Sequence, residues 1–182
     1  MNNIQFIDLG LPSGILWADR NLGADAPEET GDYYRFGETV AFTENSPEYA
    51  YDKIEGGIAG TDRDAATMNL GGNWRMPTKE EFDELIEQTE QKWTKQNGVR
   101  GMEVTGPNGN SIFLPVSGLR HRSNGSLIYV GSGGYCWSAS AYSSYNDSIC
   151  LFFESGGCGG CYHYWAYGLP IRAVAREFTI KH

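Results

Sequence analysis

In the first half of the chain the apolar positions come in short runs broken by Gly, Pro, Asp and Asn. Beyond Gly98 they alternate with polar positions at a spacing of two, which is the period of a strand with one buried face. Phe6 to Ala18 predicts two short strands around the turn Pro12-Ser13-Gly14, a β-hairpin, because proline fixes φ and glycine permits positive φ. Asn21 to about Gly60 shows little periodicity and predicts a long irregular loop anchored by Tyr33, Tyr34, Phe36, Tyr49 and Tyr51. A short helix is expected over Asp62 to Asn69, ending before Gly71-Gly72.

The clearest local signal begins at Pro77. Thr78 can cap the first turn of a helix starting at Lys79, and Glu81, three residues on, can bond back to the Thr78 amide. Phe82, Leu85 and Ile86 form one apolar stripe, which predicts a helix packed by that face on a sheet. The acids Glu80, Glu81, Asp83, Glu84 and Glu87 read as its solvated face rather than as a metal site. Met102, Val104 and the run Ile112 to Val116 carry the two-residue period into the second half. In Ser148 to Glu154 the set Ile149, Leu151, Phe153 is expected to face the core and Ser148, Cys150, Phe152, Glu154 to face out. Leu169 to Arg176 predicts a last strand, with Pro170 at its start where a missing amide costs least. Few helices and many strands make the expected class α+β, in a single domain spanning residues 1–182.

Composition narrows the functions. With 40% apolar and 20% charged residues the chain sits at globular averages. No run approaches the roughly 20 apolar residues a membrane helix needs, and Met1 to Asp8 lacks the basic start and apolar core of a signal peptide. A soluble chain with neither membrane span nor export signal is therefore expected. The net charge of −9 opposes a phosphate backbone, which sets a nucleic-acid partner aside. That charge lies in residues 1–131; residues 132–182 carry three basic and three acidic side chains. All four cysteines (Cys136, Cys150, Cys158, Cys161) fall in this neutral segment. Three pairings are open to them, and free thiols in a reducing compartment are the favoured state.

Residues 131–170 hold eight Gly, seven Ser, six Tyr and four Cys, with neither Lys nor Arg. Tyrosine offers a large amphipathic contact area while freezing only two side-chain torsions, and Ser and Gly supply adaptable contacts. Lysine is depleted at contact surfaces. This alphabet points to an outward-facing recognition patch.

Four blocks, Asp8 to Ala18, Gly71 to Phe82, Gly134 to Ser138 and Gly168 to Val174, resemble in order the C-type lectin-like major paralogous domains of gut-bacterial surface proteins. The late Tyr/Ser/Gly/Cys/His-rich stretch further resembles the variable region of C-type lectin-like proteins diversified by retroelements. From Tyr145 to Gly168, every residue except Glu154 and Trp165 can be reached by randomising the adenines of an AAC codon. The resemblance implies a C-type lectin-like fold with a twisted antiparallel sheet, and a variable ligand-binding region within residues 135–175. It implies scaffold positions at Trp137, Leu151, Phe153 and Ile171 to Val174. The implied ligand-binding positions are Tyr145, Asp147, Ser148, Cys150, Phe152, Cys158, Cys161, Tyr162, His163, Tyr164 and Tyr167. It further implies non-catalytic recognition of a protein or glycan, without a cofactor, at a phage virion or bacterial cell surface.

Competing chemistries are weaker. Cys158-Gly159-Gly160-Cys161 has the spacing of thiol-redox and zinc sites, but neither a helix N-terminus nor four ligands accompany it. Gly106-Pro107-Asn108 and Tyr145-Asn146-Asp147 partly match the calcium-ligand triplets of sugar-binding lectins, yet calcium needs six to eight oxygens. An invariant adhesin-like or calcium-dependent glycan-binding domain is the alternative function. The three histidines, His121, His163 and His182, belong to no catalytic motif, so an enzyme is not expected.

Overall fold

The computed structural model describes residues 3–142 and 146–177. It is mixed α+β, with two helices and eleven mostly short strands. β1 (Phe6–Asp8) and β2 (Leu16–Ala18) form the expected hairpin, with Phe6 opposite Ala18. The region from residue 21 to 60 is irregular, with Tyr33, Tyr34, Phe36 and Tyr49 buried. Tyr51 is not an anchor: it is exposed and meets Tyr49 edge-on.

Helix α1 (Ala65–Leu70) starts one turn later than expected. The Asp64 carboxylate caps it, accepting from the Thr67 amide at 3.0 Å. Helix α2 (Lys79–Gln88) starts where the Thr78 cap puts it, and both halves of the capping box are present. Phe82 and Leu85 are buried on it and Ile86 packs at the margin. Glu81 departs from the solvated face expected for it. It is buried because the Arg75 guanidinium reaches both its carboxylate oxygens, at 2.5 and 2.8 Å.

A polar strand, β3 (Glu90–Gln96), then turns at Asn97-Gly98 into β4 (Val99–Thr105), which pairs with β5 (Ser111–Pro115). Both turn residues have positive φ, as a two-residue hairpin turn demands. The short pair β6 (Leu119–Arg120) and β7 (Leu127–Ile128) leads to the sheet that matters most, β8 (Gly134–Tyr142), β9 (Asp147–Glu154) and β10 (Gly157–Tyr164). β11 (Val174–Ala175) completes the sheet β1-β2-β11. The predicted last strand is thus much shorter than Leu169 to Arg176. Its first residue, Leu169, forms an isolated bridge with Tyr34 instead, and Gly168 just before it bridges Arg120. Among the described residues all strand pairings are antiparallel.

The core has two halves with β8 and β9 as their common wall. Trp137 and Cys150 point into one, with Phe36, Trp165, Leu119 and Ile171. Cys136, Leu151 and Phe153 point into the other, with Trp17, Phe82, Leu85, Met102 and Val174. Both faces of β9 are therefore covered along most of its length. That is why its Ser148 and Cys150 side is not a solvent face, contrary to the alternation argument. The expected scaffold positions Trp137, Leu151, Phe153 and Ile171 to Val174 are all buried. Fully buried Arg172 ties the halves together. It donates to the Asn21 side chain at 2.8 Å, the Ala18 carbonyl at 3.1 Å and the Phe113 carbonyl at 2.7 Å. Burial drags its guanidinium down to about 10, which still leaves it cationic at neutral pH. Among the described residues no helix is long and apolar enough to cross a membrane.

Candidate functional site

The site grows out of the β9-β10 hairpin. Its two-residue turn, Ser155-Gly156, sets Gly157 opposite Glu154 and Tyr164 opposite Asp147, with no register slip between. Strand β10 is the edge of its sheet. Its side chains alternate: Cys158, Gly160, Tyr162 and Tyr164 on one side, Gly159, Cys161 and His163 on the other. Cys161 lies directly opposite Cys150 and is disulfide-bonded to it, with Cα atoms 5.0 Å apart. The expectation of free thiols fails for this pair. Cys158 and Cys161 cannot cooperate as a C-x-x-C motif, because residues three apart on a strand face opposite ways. Cys158 packs against the Trp17 half of the core instead. Burial pushes its thiol up to about 11 and that of free, buried Cys136 up to about 12, so neither is a ready thiolate.

The predicted positions fall into three groups. Tyr162 and Tyr164 are exposed, at 59% and 47%. Tyr162 meets Tyr142 edge-on at 5.3 Å, and the Arg122 guanidinium stands 4.9 Å over the Tyr164 ring. Phe152, Cys161, His163, Tyr167, Asp147 and Cys158 are half-buried. Ser148 and Cys150 are buried and do not project at all. The Ser148 hydroxyl accepts from the Trp165 indole at 2.9 Å, and Cys150 is held in the disulfide. Tyr145 lies outside the described residues. Burial raises the Asp147 carboxyl, and its Oδ1 has no hydrogen-bond partner among the described residues.

Around His163 the rings form a continuous row. His163 contacts Tyr135 at 5.4 Å and Tyr167 at 5.2 Å. Tyr167 meets His121 at 5.3 Å, while Tyr135 meets Phe152 at 5.1 Å and Tyr129 at 6.4 Å. Burial lowers the His163 pKa, which favours the neutral ring. Tyr129, Tyr135, His121 and Arg122 are members that sequence reasoning missed. His121 and Arg122 belong to no motif and Tyr129 to no periodic run. The row depends on long-range packing that brings the loop after β6 beside β10.

Arg122 also borders a cavity of about 590 Å³ whose walls include Arg35, Phe42, Tyr49, Tyr51, Glu44 and Glu48. The Arg35 guanidinium lies 4.4 Å from the Phe42 ring centroid and is paired with Glu38 at 2.6 Å. This concavity therefore adjoins the exposed Tyr164. Asn108, from one partial calcium-ligand triplet, is occupied in the β4-β5 turn: it donates to the Asp8 carbonyl at 2.9 Å and accepts from the Asn110 amide at 3.0 Å.

No family model, curated protein or solved structure matches this chain.

Proposed function

We propose that this chain is a C-type lectin-like recognition domain that binds a protein or glycan, without catalysis and without a required cofactor, through the surface built on β10. The observation that carries the reading is the pair of exposed tyrosines, Tyr162 and Tyr164, on a disulfide-pinned edge strand. Large rings already fixed by the backbone lose little freedom on binding, so more of the contact energy appears as affinity. The neutral composition of residues 132–182 fits a contact surface rather than a charged solvating one. The resemblance to retroelement-diversified proteins supplies the biological setting: side chains on β9, β10 and the following loop vary on a constant scaffold, displayed on a virion or a cell envelope. The buried Ser148 and Cys150 are not contact residues in this reading. The contact set is Tyr162, Tyr164, His163, Tyr167 and Phe152, joined by exposed Tyr129 and Arg122; Tyr135 is buried and backs the row from the core.

The cavity beside Tyr164 supports a second reading, an invariant glycan-binding domain, because aromatic walls with Glu44, Glu48 and arginines suit a hydroxyl-rich ligand. Screening the chain against glycan and bacterial surface-protein arrays separates the two. A Tyr162→Ala/Tyr164→Ala double variant should lose its hits while keeping its melting temperature. Hits unaffected by that variant but lost with Tyr51→Ala, an exposed residue of the cavity wall, would favour the cavity; the absence of hits on both arrays would count against both readings.

A further inference from the structure

Cys150, Cys161 and His163 are brought together by the pairing of β9 with β10. Cys161 and His163 share one face of β10 two residues apart, and Cys150 lies across from Cys161 on the same face. One ligand atom from each, the two Sγ atoms and a ring nitrogen, all lie within 4.8 Å of one another. Among the described residues this is the one group of three His, Cys, Asp or Glu side chains so disposed. The fourth corner of the rectangle, Ser148 opposite His163, is engaged by the Trp165 indole. Tyr135 and Tyr167 flank the His163 ring, and the Cys150 side is closed by the core.

We propose that the Cys150–Cys161 disulfide is one of two states of this site, and that on reduction Cys150, Cys161 and His163 bind a thiophilic divalent cation such as Zn²⁺. Two thiolates and one imidazole form a three-ligand set that leaves one tetrahedral position open to water or to a group of a binding partner. Two thiolates also neutralise the dication, which suits a half-buried site better than a net charge would. The redox step balances with a dithiol reductant. It transfers two electrons and two protons to the S–S bond, yielding two cysteine thiols and itself becoming a disulfide. Cation binding then displaces the two thiol protons into solvent, while His163 donates a ring lone pair. The site does not depend on the recognition reading, since it is defined by three side chains irrespective of any ligand on β10.

Co²⁺ reports such a site by its colour. The full chain is treated with a dithiol, freed of excess reductant anaerobically and titrated with Co²⁺. We expect a thiolate-to-Co²⁺ charge-transfer band and the intense visible bands of tetrahedral Co²⁺, saturating at one equivalent and bleached by Zn²⁺. The oxidised chain should show neither. Cys161→Ser and His163→Ala should each abolish the tetrahedral spectrum, and Cys158→Ser should leave it intact, which separates this site from the C-x-x-C spacing. Near-UV circular dichroism on the same reduced samples shows whether they are folded. The proposal fails if the reduced wild type loses its near-UV signal or gives no tetrahedral spectrum. It also fails if the spectrum survives His163→Ala or disappears with Cys158→Ser.

Discussion

Two buried ion-bearing residues make opposite kinds of statement about stability. Among the described residues Arg172 has no carboxylate partner; its three bonds go to two carbonyls and the Asn21 amide oxygen. Replacing it with Met of similar length leaves those acceptors unpaired in the core, and Lys cannot reproduce the fork. Arg172→Met should therefore lower unfolding free energy by about 3 kcal/mol or more, measured by urea denaturation; a loss below 1 kcal/mol on this scale would mean the acceptors find other donors. Glu81 is an acid held charged. Burial alone would raise its carboxyl, but the Arg75 guanidinium and the Thr78 amide outweigh it and hold it below its ordinary value of 4.5. A depressed folded-state pKa contributes stability that is complete above the ordinary value and is lost as pH falls through the lower, folded one. Glu81→Gln should thus cost about 2 kcal/mol at neutral pH and flatten the acid limb below pH 4.5. An unchanged acid limb in the variant would remove Glu81 from the account.

At the level of single elements, the glycines of the β8-β9-β10 sheet give a sharp contrast. A Cβ on Gly134 would run into the Phe153 ring, while one on Gly160 would meet nothing. Gly134→Ala should cost about 1–3 kcal/mol by overpacking, and Gly160→Ala should be neutral or slightly stabilising because it restricts only the unfolded chain. Equal effects in thermal melts would contradict the sheet as described. The same sheet shows what the sequence could and could not reveal. Helix α2 was legible because its signals, Thr78, Glu81 and the Phe82-Leu85-Ile86 stripe, lie within one segment; the β1-β2 hairpin was legible for the same reason. Asn97-Gly98 was an equally local turn signal for β3-β4, but the polar strand before it hid the hairpin. The outward face of β9 could not be read from alternation, because the core half that Cys150 enters is built largely from segments distant in sequence, Phe36, Leu119 and Ile171 among them. The site was half legible: Tyr162 and Tyr164 lie on an edge strand where alternation still distinguishes faces, whereas Tyr129, His121 and Arg122 reach it from a remote loop.

Across the whole molecule, the decisive feature is that one sheet serves two core halves. Neither half can come apart without stripping one face of β8 and β9, the strands whose opposite face carries the other half, and Arg172 bonds from the last segment to both Ala18 and Phe113. The four short sheets and ladders should therefore unfold as a single unit. Trp137 and Trp165 report on one half and Trp17 on the other, so tryptophan fluorescence and far-UV circular dichroism should trace one coincident urea transition. Leu151→Ala, which removes side-chain volume from the Trp17 half alone, should shift both probes together by about 2–5 kcal/mol. Two separated transitions, or a shift confined to one probe, would show that the halves are independent and that β8-β9 is a boundary rather than a common wall. A single transition would in turn give β10 the stiff support that preformed recognition by Tyr162 and Tyr164 requires, because the strand's backing could not loosen without unfolding the molecule.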